Sequence, residues 1–431
     1  MSSWPNMKVG RAARLISGVG FPHQHQGKTT GAHPFLKVSD LASGALGYRL
    51  VTAQNWVGQA DLASLGARLA PRGAIVFPKV GAAMLKNPRR LLDLPAAMDN
   101  NLMAVVPNSG EPRFWLYALS TVDLGEISAG GVLPYVNEGQ IRDLHIPFPS
   151  DEQQRRIADF LDAETTRIDK IVTALRRELD LLAERRAAGV AAAVSGSTHS
   201  DRRSSSLLWL ESVPAPWQEV RLGLLARMGS GHTPSRSHPE WWTNCQIPWV
   251  TTGEVKQVRD DRIEDLYETR EKISELGLAN SAAELHPRGT VFLCRTASAG
   301  YSGVMGLDMA TSQDFVTWTC GPRLLPHFLL WCLRAMRPDL LGRLAMGSTH
   351  KTIYVPDLQM LRIPLPPVDE QEVIVATIRR QNTQVDSLTD RVRRQQELLR
   401  ERRQALITAT VSGQFDVATA SGRNVTGGVS A

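Results

Sequence analysis

The sequence carries itself twice. The segment Ile146-Pro147-Phe148-Pro149-Ser150-Asp151-Glu152-Gln153 returns as Ile363-Pro364-Leu365-Pro366-Pro367-Val368-Asp369-Glu370-Gln371, 217 positions on (146 to 363). Each copy opens a long charged stretch that closes on one signature. The first closes Leu181-Leu182-Ala183-Glu184-Arg185-Arg186 and then Val194-Ser195-Gly196. The second closes Leu398-Leu399-Arg400-Glu401-Arg402-Arg403 and then Val411-Ser412-Gly413. A duplication of this length constrains the fold more than composition does: whatever the first half builds, the second half builds again.

Weaker landmarks extend the repeat into the intervening sequence. Arg14-Leu15-Ile16-Ser17-Gly18 resembles Arg227-Met228-Gly229-Ser230-Gly231, and Pro34-Phe35-Leu36 with Asp40-Leu41 resembles Pro248-Trp249-Val250 with Glu254-Val255. Arg72-Gly73-Ala74-Ile75-Val76-Phe77-Pro78-Lys79 resembles Arg288-Gly289-Thr290-Val291-Phe292-Leu293-Cys294-Arg295. The order is kept and the offset drifts by a few residues, as in tandem duplication with loop insertions. Each copy is far longer than a solenoid repeat. The framework is shared, and the sequence between landmarks is not.

Both charged stretches predict long helices. From Asp151 to Val194 there is no proline and one glycine, Gly189. At 1.5 Å per residue such a helix is ~65 Å long. Ile168, Ile171, Leu175 and Leu182 recur at heptad spacing, and Val385, Leu388, Val392 and Leu399 repeat them in the second copy. These eight are expected to form a seam. Glu178 and Gln395 fall on the same heptad position and are expected to fix its register. Acids at the start (Asp151, Glu152; Asp369, Glu370) and arginines near the end suit the helix dipole. The chain order of globule, helix, globule, helix predicts that the two helices pair antiparallel.

Between the helices lie α+β globules. Ala74–Phe77 and Thr290–Leu293 read as buried strands after an Arg-Gly turn, as do Leu102–Val106 and Phe315–Thr319. Phe114–Leu119 and Phe328–Leu333 read as short helices. The expected organisation is 1–150, first globular domain; 151–195, first long helix; 196–206, polar linker; 207–368, second globular domain; 369–413, second long helix; 414–431, flexible tail.

Composition narrows the function class. The chain of 431 residues is 42% hydrophobic and has a formal charge of +6. Residues 1–150 hold 14 basic and 9 acidic side chains, a balance that suits a polyanion; 207–368 hold 16 of each. No apolar run approaches the ~18 residues of a membrane span, and the N-terminus lacks a signal-peptide apolar region. The four cysteines, all in the second half, show no CxxC spacing and suit reduced core thiols in a cytoplasmic protein. Gly27-Lys28-Thr29-Thr30 fails as a phosphate loop, because Pro22 stands where its first glycine belongs. His23, His25 and His33 lie in a turn-rich loop, which accounts for them without a metal. Glu254-Val255-Lys256 mimics part of a nuclease motif but is short enough to arise by chance. No Asn-Pro-Pro-Tyr or Asp-Pro-Pro-Tyr run for amino-methyl transfer occurs.

The two Ile-Pro-(Phe/Leu)-Pro…Asp-Glu-Gln entries, the two Leu-Leu-x-Glu-Arg-Arg…Val-Ser-Gly ends and the duplicated globules closely resemble the specificity subunit of Type I restriction-modification systems, over about 1–413. The resemblance implies that the globules are target-recognition domains joined by two long antiparallel coiled-coil helices. It implies a non-catalytic, sequence-specific reader of a bipartite asymmetric site in double-stranded DNA. The implied partners are two modification (adenine methyltransferase) subunits and a restriction motor-nuclease subunit. S-adenosylmethionine, ATP and magnesium would then belong to those partners, with no cofactor and no membrane contact here.

For DNA contact the candidates are Lys79 and Arg295, matched across the repeat just after a strand, with Thr296 and Ser298 on the loop that follows Arg295. The loop Ser348-Thr349-His350-Lys351 is of the same kind, although its first-half counterpart, Gly130–Pro134, is uncharged. Thr251 and Thr252 align with Lys37 and Val38 and are further candidates, with Lys37 itself. Arg11, Lys28, Lys86, Arg89 and Arg90 could add phosphate affinity. Two other readings stay open: a degenerate coiled-coil scaffold that reads no sequence, and a stand-alone metal-dependent nuclease using Glu254 and Lys256.

Overall fold

The computed structural model describes residues 4–42, 48–50, 53–128, 130, 133–345 and 351–417. The chain forms two compact units: Met1–Arg177 with Arg393–Ala431, and Glu178–Val392.

In the first unit the buried run Ile75–Pro78 is the middle strand of a five-stranded sheet. The order is Ala13–Ser17, Leu102–Pro107, Ile75–Pro78, Arg90–Leu92, Arg49–Leu50. Only the last strand joins parallel. A second sheet has His33–Leu36 in its centre, antiparallel to Asn55–Val57 and parallel to Ala97–Met98. The helix Pro112–Ser120 starts on a proline and a Glu111 cap, as helix N-termini favour. It buries six consecutive residues, Phe114 to Leu119. Each side chain of that size is worth about 1.5–3 kcal/mol on burial, so this helix anchors the core.

The second unit repeats the plan strand for strand. Its large sheet runs Ala226–Ser230, Phe315–Cys320, Val291–Cys294, Ser302–Met305, Asp265–Leu266, again with the last strand parallel. Its small sheet places Ile247–Val250 antiparallel to Glu271–Ile273 and parallel to Ala310–Thr311. The helix Pro326–Ala335 takes the anchoring place.

The Ile-Pro motifs are strands. His145–Pro147 pairs with Asn6–Lys8, and Arg362–Leu365 with Gln218–Arg221. The long helices that follow span Asp151–Val194 and Val368–Val411. A glutamine near the start of each ties helix to globule. Fully buried Gln154 donates to Pro149 O (2.9 Å) and accepts from Glu111 N (2.9 Å). Gln371 donates to Pro366 O and Arg323 O (both 2.9 Å) and accepts from Leu325 N (2.8 Å). The residue equivalent to Gln371 is therefore Gln154, although Gln153 holds the matching place in the Asp-Glu-Gln motif. The Val-Ser-Gly ends are helix caps. Gly196 and Gly413 both take positive φ, a conformation glycine adopts without a Cβ clash.

The long helices pack together antiparallel. In the first unit Asp169 lies 3.6 Å from Arg403; in the second Asp386 holds Arg186. Ile168, Leu175, Leu182, Val385 and Val392 are buried, and Leu388 and Leu399 half-buried. Ile171 is not in the seam: it is 38% exposed, and Val172 is buried in its stead. The seam steps 168, 172, 175, 179, 182. Glu178 and Gln395 are accordingly exposed, and the buried polar residues of the helices include Asn382 and Gln396. Adjacent apolar residues at 171 and 172 satisfy either phase of the heptad, so the pattern alone left this choice open.

Two segments expected to be loose are built in. In the polar stretch 196–206, Arg202–Ser204 pairs with Ser212–Pro214. Arg202 reaches Gly196 O, Ser195 O (3.3 Å) and Ser212 O (2.7 Å). A fan of arginine hydrogen bonds orders this stretch without apolar side chains. After the second long helix, Phe415 stacks on Phe160 with ring centroids 5.4 Å apart. The rest of the tail, from 418, lies outside the described residues.

Candidate nucleic-acid interface

In each unit the loop after the central strand is fixed by the same backbone bonds. Lys79 N donates to Asn101 O (2.8 Å), and Arg295 N to Asp314 O (2.7 Å). Lys79 O accepts from Val136 N (2.9 Å), and Arg295 O from Ile353 N (2.8 Å). Single bridges lie alongside, Val80 with Tyr135 and Thr296 with Thr352. The neighbouring loop repeats too: Asp99 N donates to Leu36 O and Ser312 N to Val250 O, both at 2.9 Å. One framework thus holds two sets of side chains.

In the second unit the Thr296–Thr352 bridge brings Arg295, Thr296 and Lys351 onto adjacent loops. Arg295 Nε donates to Gln313 O at 3.0 Å, and Lys351 Nζ to Leu341 O at 3.2 Å. Thr296 donates to Asp314. Ala297 takes a positive φ of 56°, an unusual conformation for a residue with a Cβ, and turns the chain sharply before Ser298. Thr251 and exposed Thr252 follow the strand Ile247–Val250, whose end carries Ser312. Ser348, Thr349 and His350 lie outside the described residues.

In the first unit Lys79 Nζ lies 3.4 Å from Ser17 Oγ, and it lines a recess of about 430 Å3 with Tyr135 and Asn137. Lys37 Nζ donates to Gln26 Oε1 at 3.0 Å. Sequence reasoning missed Gln26, Asn101, Thr233 and Gln313. Thr233 donates to Gln313 Oε1 at 2.6 Å on the same loop set. Uncharged residues in unaligned loops give no signal of position until the strands around them are paired.

Some sequence readings are corrected. Arg89 is no surface cation: it is buried over the Phe77 ring at 4.9 Å, donates to Val122 O, and is pushed down to about 10 by burial. Arg90 is half-buried and likewise lowered, by burial first and by Arg403 second. Lys28 is held by Asp61 at 2.9 Å. The loop histidine His25 bonds the same carboxylate at 3.0 Å.

Glu254 is buried. Its carboxylate accepts from Arg270 N (2.9 Å) and Gln257 Nε2, so it shapes a loop. Asp40 does the same in the first unit, accepting from Lys37 N (2.7 Å) and Gln54 N (3.0 Å). Cys294 and Cys320 are pushed up to about 11 and about 12 by burial, which disfavours the thiolate. Among the described residues no group of three or more His, Cys, Asp or Glu could hold a metal. No described helix is long and apolar enough to cross a membrane.

Two copies of an α+β reading platform on shared helices define a duplicated recognition module. The chain belongs to the family of Type I restriction modification DNA specificity domains, whose model matches residues 79–180 and 214–395. It is 23% identical over 190 residues to the MjaIX specificity subunit of Methanocaldococcus jannaschii, covering 43% of this chain and 42% of that protein. It is 22% identical over 306 residues to the EcoDI specificity subunit of Escherichia coli, covering 65% and 64%. The aligned region thus spans under two thirds of the length of either relative. In fold it is similar to a chain from a study of assembly and conformational transition of the type I R-M system, with TM-score 0.64, 18% identity and coverage of 96% and 98%. The HsdS subunit of Thermoanaerobacter tengcongensis is also similar, with TM-score 0.50, 19% identity and coverage of 96% and 97%.

Proposed function

We propose that this chain is the specificity subunit of a Type I restriction-modification complex. It reads a bipartite asymmetric site in double-stranded DNA, one half per unit, and performs no chemistry itself. It recruits two adenine-methylating modification subunits and a restriction motor-nuclease subunit in the cytoplasm; S-adenosylmethionine, ATP and magnesium act on those partners. One observation carries the reading. The two units repeat topology and backbone bonds around Lys79 and Arg295, yet present different side chains there. A stand-alone enzyme has no need of two divergent faces on one framework, whereas a bipartite reader requires them. Lys79, Lys37, Thr251, Thr252, Arg295, Thr296, Ser298 and the Ser348–Lys351 loop are the proposed contacts, cations to phosphate or guanine and hydroxyls to base edges or phosphate.

The test is single-molecule sequencing of adenine methylation in host DNA, with the gene present and deleted. A two-part methylated motif that vanishes on deletion is the expected outcome. An unchanged methylome, with the partner subunits expressed, would leave the scaffold reading in its place.

A further inference from the structure

A recess of about 1130 Å3 opens in the first unit, where the strand Arg90–Leu92 and the end of the helix Pro112–Ser120 meet the long helices. Six cations line it: Lys86, Arg89, Arg90, Arg176, Arg400 and Arg403. Two carboxylates face them, Asp123 and Asp169. The closest approach of Asp169 to Arg403 Nε is 3.6 Å, beyond hydrogen-bond reach. Among the described residues Arg90 Nε and Arg403 Nε are buried without a hydrogen-bond partner. There too, no side-chain hydrogen bond or ion pair engages Lys86, Arg176 or Arg400. Like charges gathered in a partly desolvated recess repel one another unless anions enter.

The second unit supplies the internal control. Arg186 stands where Arg403 does, and it meets Asp386. Asp386 also takes Arg262 at 3.0 Å, and Arg262 reaches Asp390 at 2.8 Å. Glu264 occupies the place of Tyr48, judged by matching backbone bonds, and holds Arg379 at 2.9 Å. Gly303 stands where Arg90 does in the strand register. That unit closes its charges internally; the first unit keeps Asp169, the counterpart of Asp386, but has Thr173 where Asp390 stands and Tyr48 where Glu264 does.

The missing acids are not elsewhere in the chain: no segment outside the described residues contains Asp or Glu. The recess also has apolar walls, Leu116, Val172 and Ile407, which a purely phosphate ligand would leave unused. A DNA duplex carries its phosphates on a convex surface and cannot follow a recess walled by a strand of the sheet and by helices. We propose that this recess receives an acidic, partly apolar peptide segment of a partner polypeptide. This inference stands apart from DNA reading, since peptide binding is measured without methylation.

The experiment uses the full chain and a fluorescein-labelled peptide of glutamates interspersed with leucines, followed by anisotropy at low salt. Saturable binding that weakens with salt is expected. The double variant Arg176→Glu with Arg400→Glu, at two exposed positions, should weaken binding by at least about tenfold, the scale of one lost charge-assisted pair. The thermal midpoint should not move. Lys86→Glu provides a second variant with the helices untouched. Absence of saturable binding overturns the proposal, as does equal binding to both variants. Displacement by short duplex DNA or by tripolyphosphate at lower concentration than by unlabelled peptide would assign the recess to nucleic acid or to a small phosphate, and also overturns it.

Discussion

At the scale of single residues, the buried glutamine at each helix entry is the sharpest test of the repeat. Gln154→Ala strands Glu111 N and Pro149 O without their partner and should cost about 2–4 kcal/mol, the penalty of two unsatisfied buried groups. Its neighbour Gln153 bonds only around Ser150 at the exposed helix start, so Gln153→Ala should cost less than half as much. Urea unfolding of the two variants decides which glutamine the motif encodes; equal losses would return the assignment to Gln153. A pH effect belongs to this scale as well. His286 is buried, and its pKa is held below the usual histidine value chiefly by burial, with Arg227 adding repulsion. Above about pH 6.5 both folded and unfolded chains leave this ring neutral. Below it the unfolded chain takes the proton first, so stability falls as pH drops towards the depressed folded value. His286→Gln should flatten the decline of the thermal midpoint between pH 7 and 5; an unchanged slope would mean that the ring takes up its proton without unfolding.

At the scale of elements, the long helices separate what sequence conveys from what it does not. Their existence, ends and repeat offset were legible, because proline-free charge-rich heptads and a terminal Val-Ser-Gly are local signals. The seam's phase was not, because Ile171 and Val172 are both apolar and only packing chooses between them. Val172→Asp should therefore destabilise the first unit by about 3 kcal/mol or more, as burying an unpaired charge does. Ile171→Asp should stay within about 0.5 kcal/mol, as exposed positions do. Thermal melts of both variants check the phase, and the reverse order would restore the sequence-based seam. The globules follow the same logic. The strands around Ile75–Pro78 and Val291–Cys294 and both anchoring helices were readable as apolar runs. The pairing order and the small second sheets were not, since two- and three-residue strands such as Ala97–Met98 and Ala310–Thr311 owe their state to neighbours distant in sequence. The same holds for the reading loops. Lys79 and Arg295 were found because each follows a recognisable strand, whereas Gln313 and Asn101 gain meaning only from the bonds that place them.

At the scale of the whole molecule, duplication with divergence makes a separable prediction. If each unit reads its own half of a bipartite site, a substitution on one face should alter one half of the methylated motif and leave the other. Arg295→Ala removes the charge but keeps the backbone bonds that Arg295 N and O make. It should relax or weaken selection at one half-site by about 1–3 kcal/mol, the worth of a specific arginine contact. Lys79→Ala should act on the other half alone. A pure phosphate contact would instead weaken binding across all sequences and lower its salt dependence, so methylome sequencing and salt titration together distinguish the two roles. Leu175→Glu, in the seam the helices share, should act differently from either: methylation at both halves should fail while each unit still melts cooperatively, the first at a lower temperature for the reason given for Val172→Asp. Should Arg295→Ala change both half-sites equally in a folded protein, the faces are not independent readers, and the division of labour that the repeat suggests would have to be abandoned.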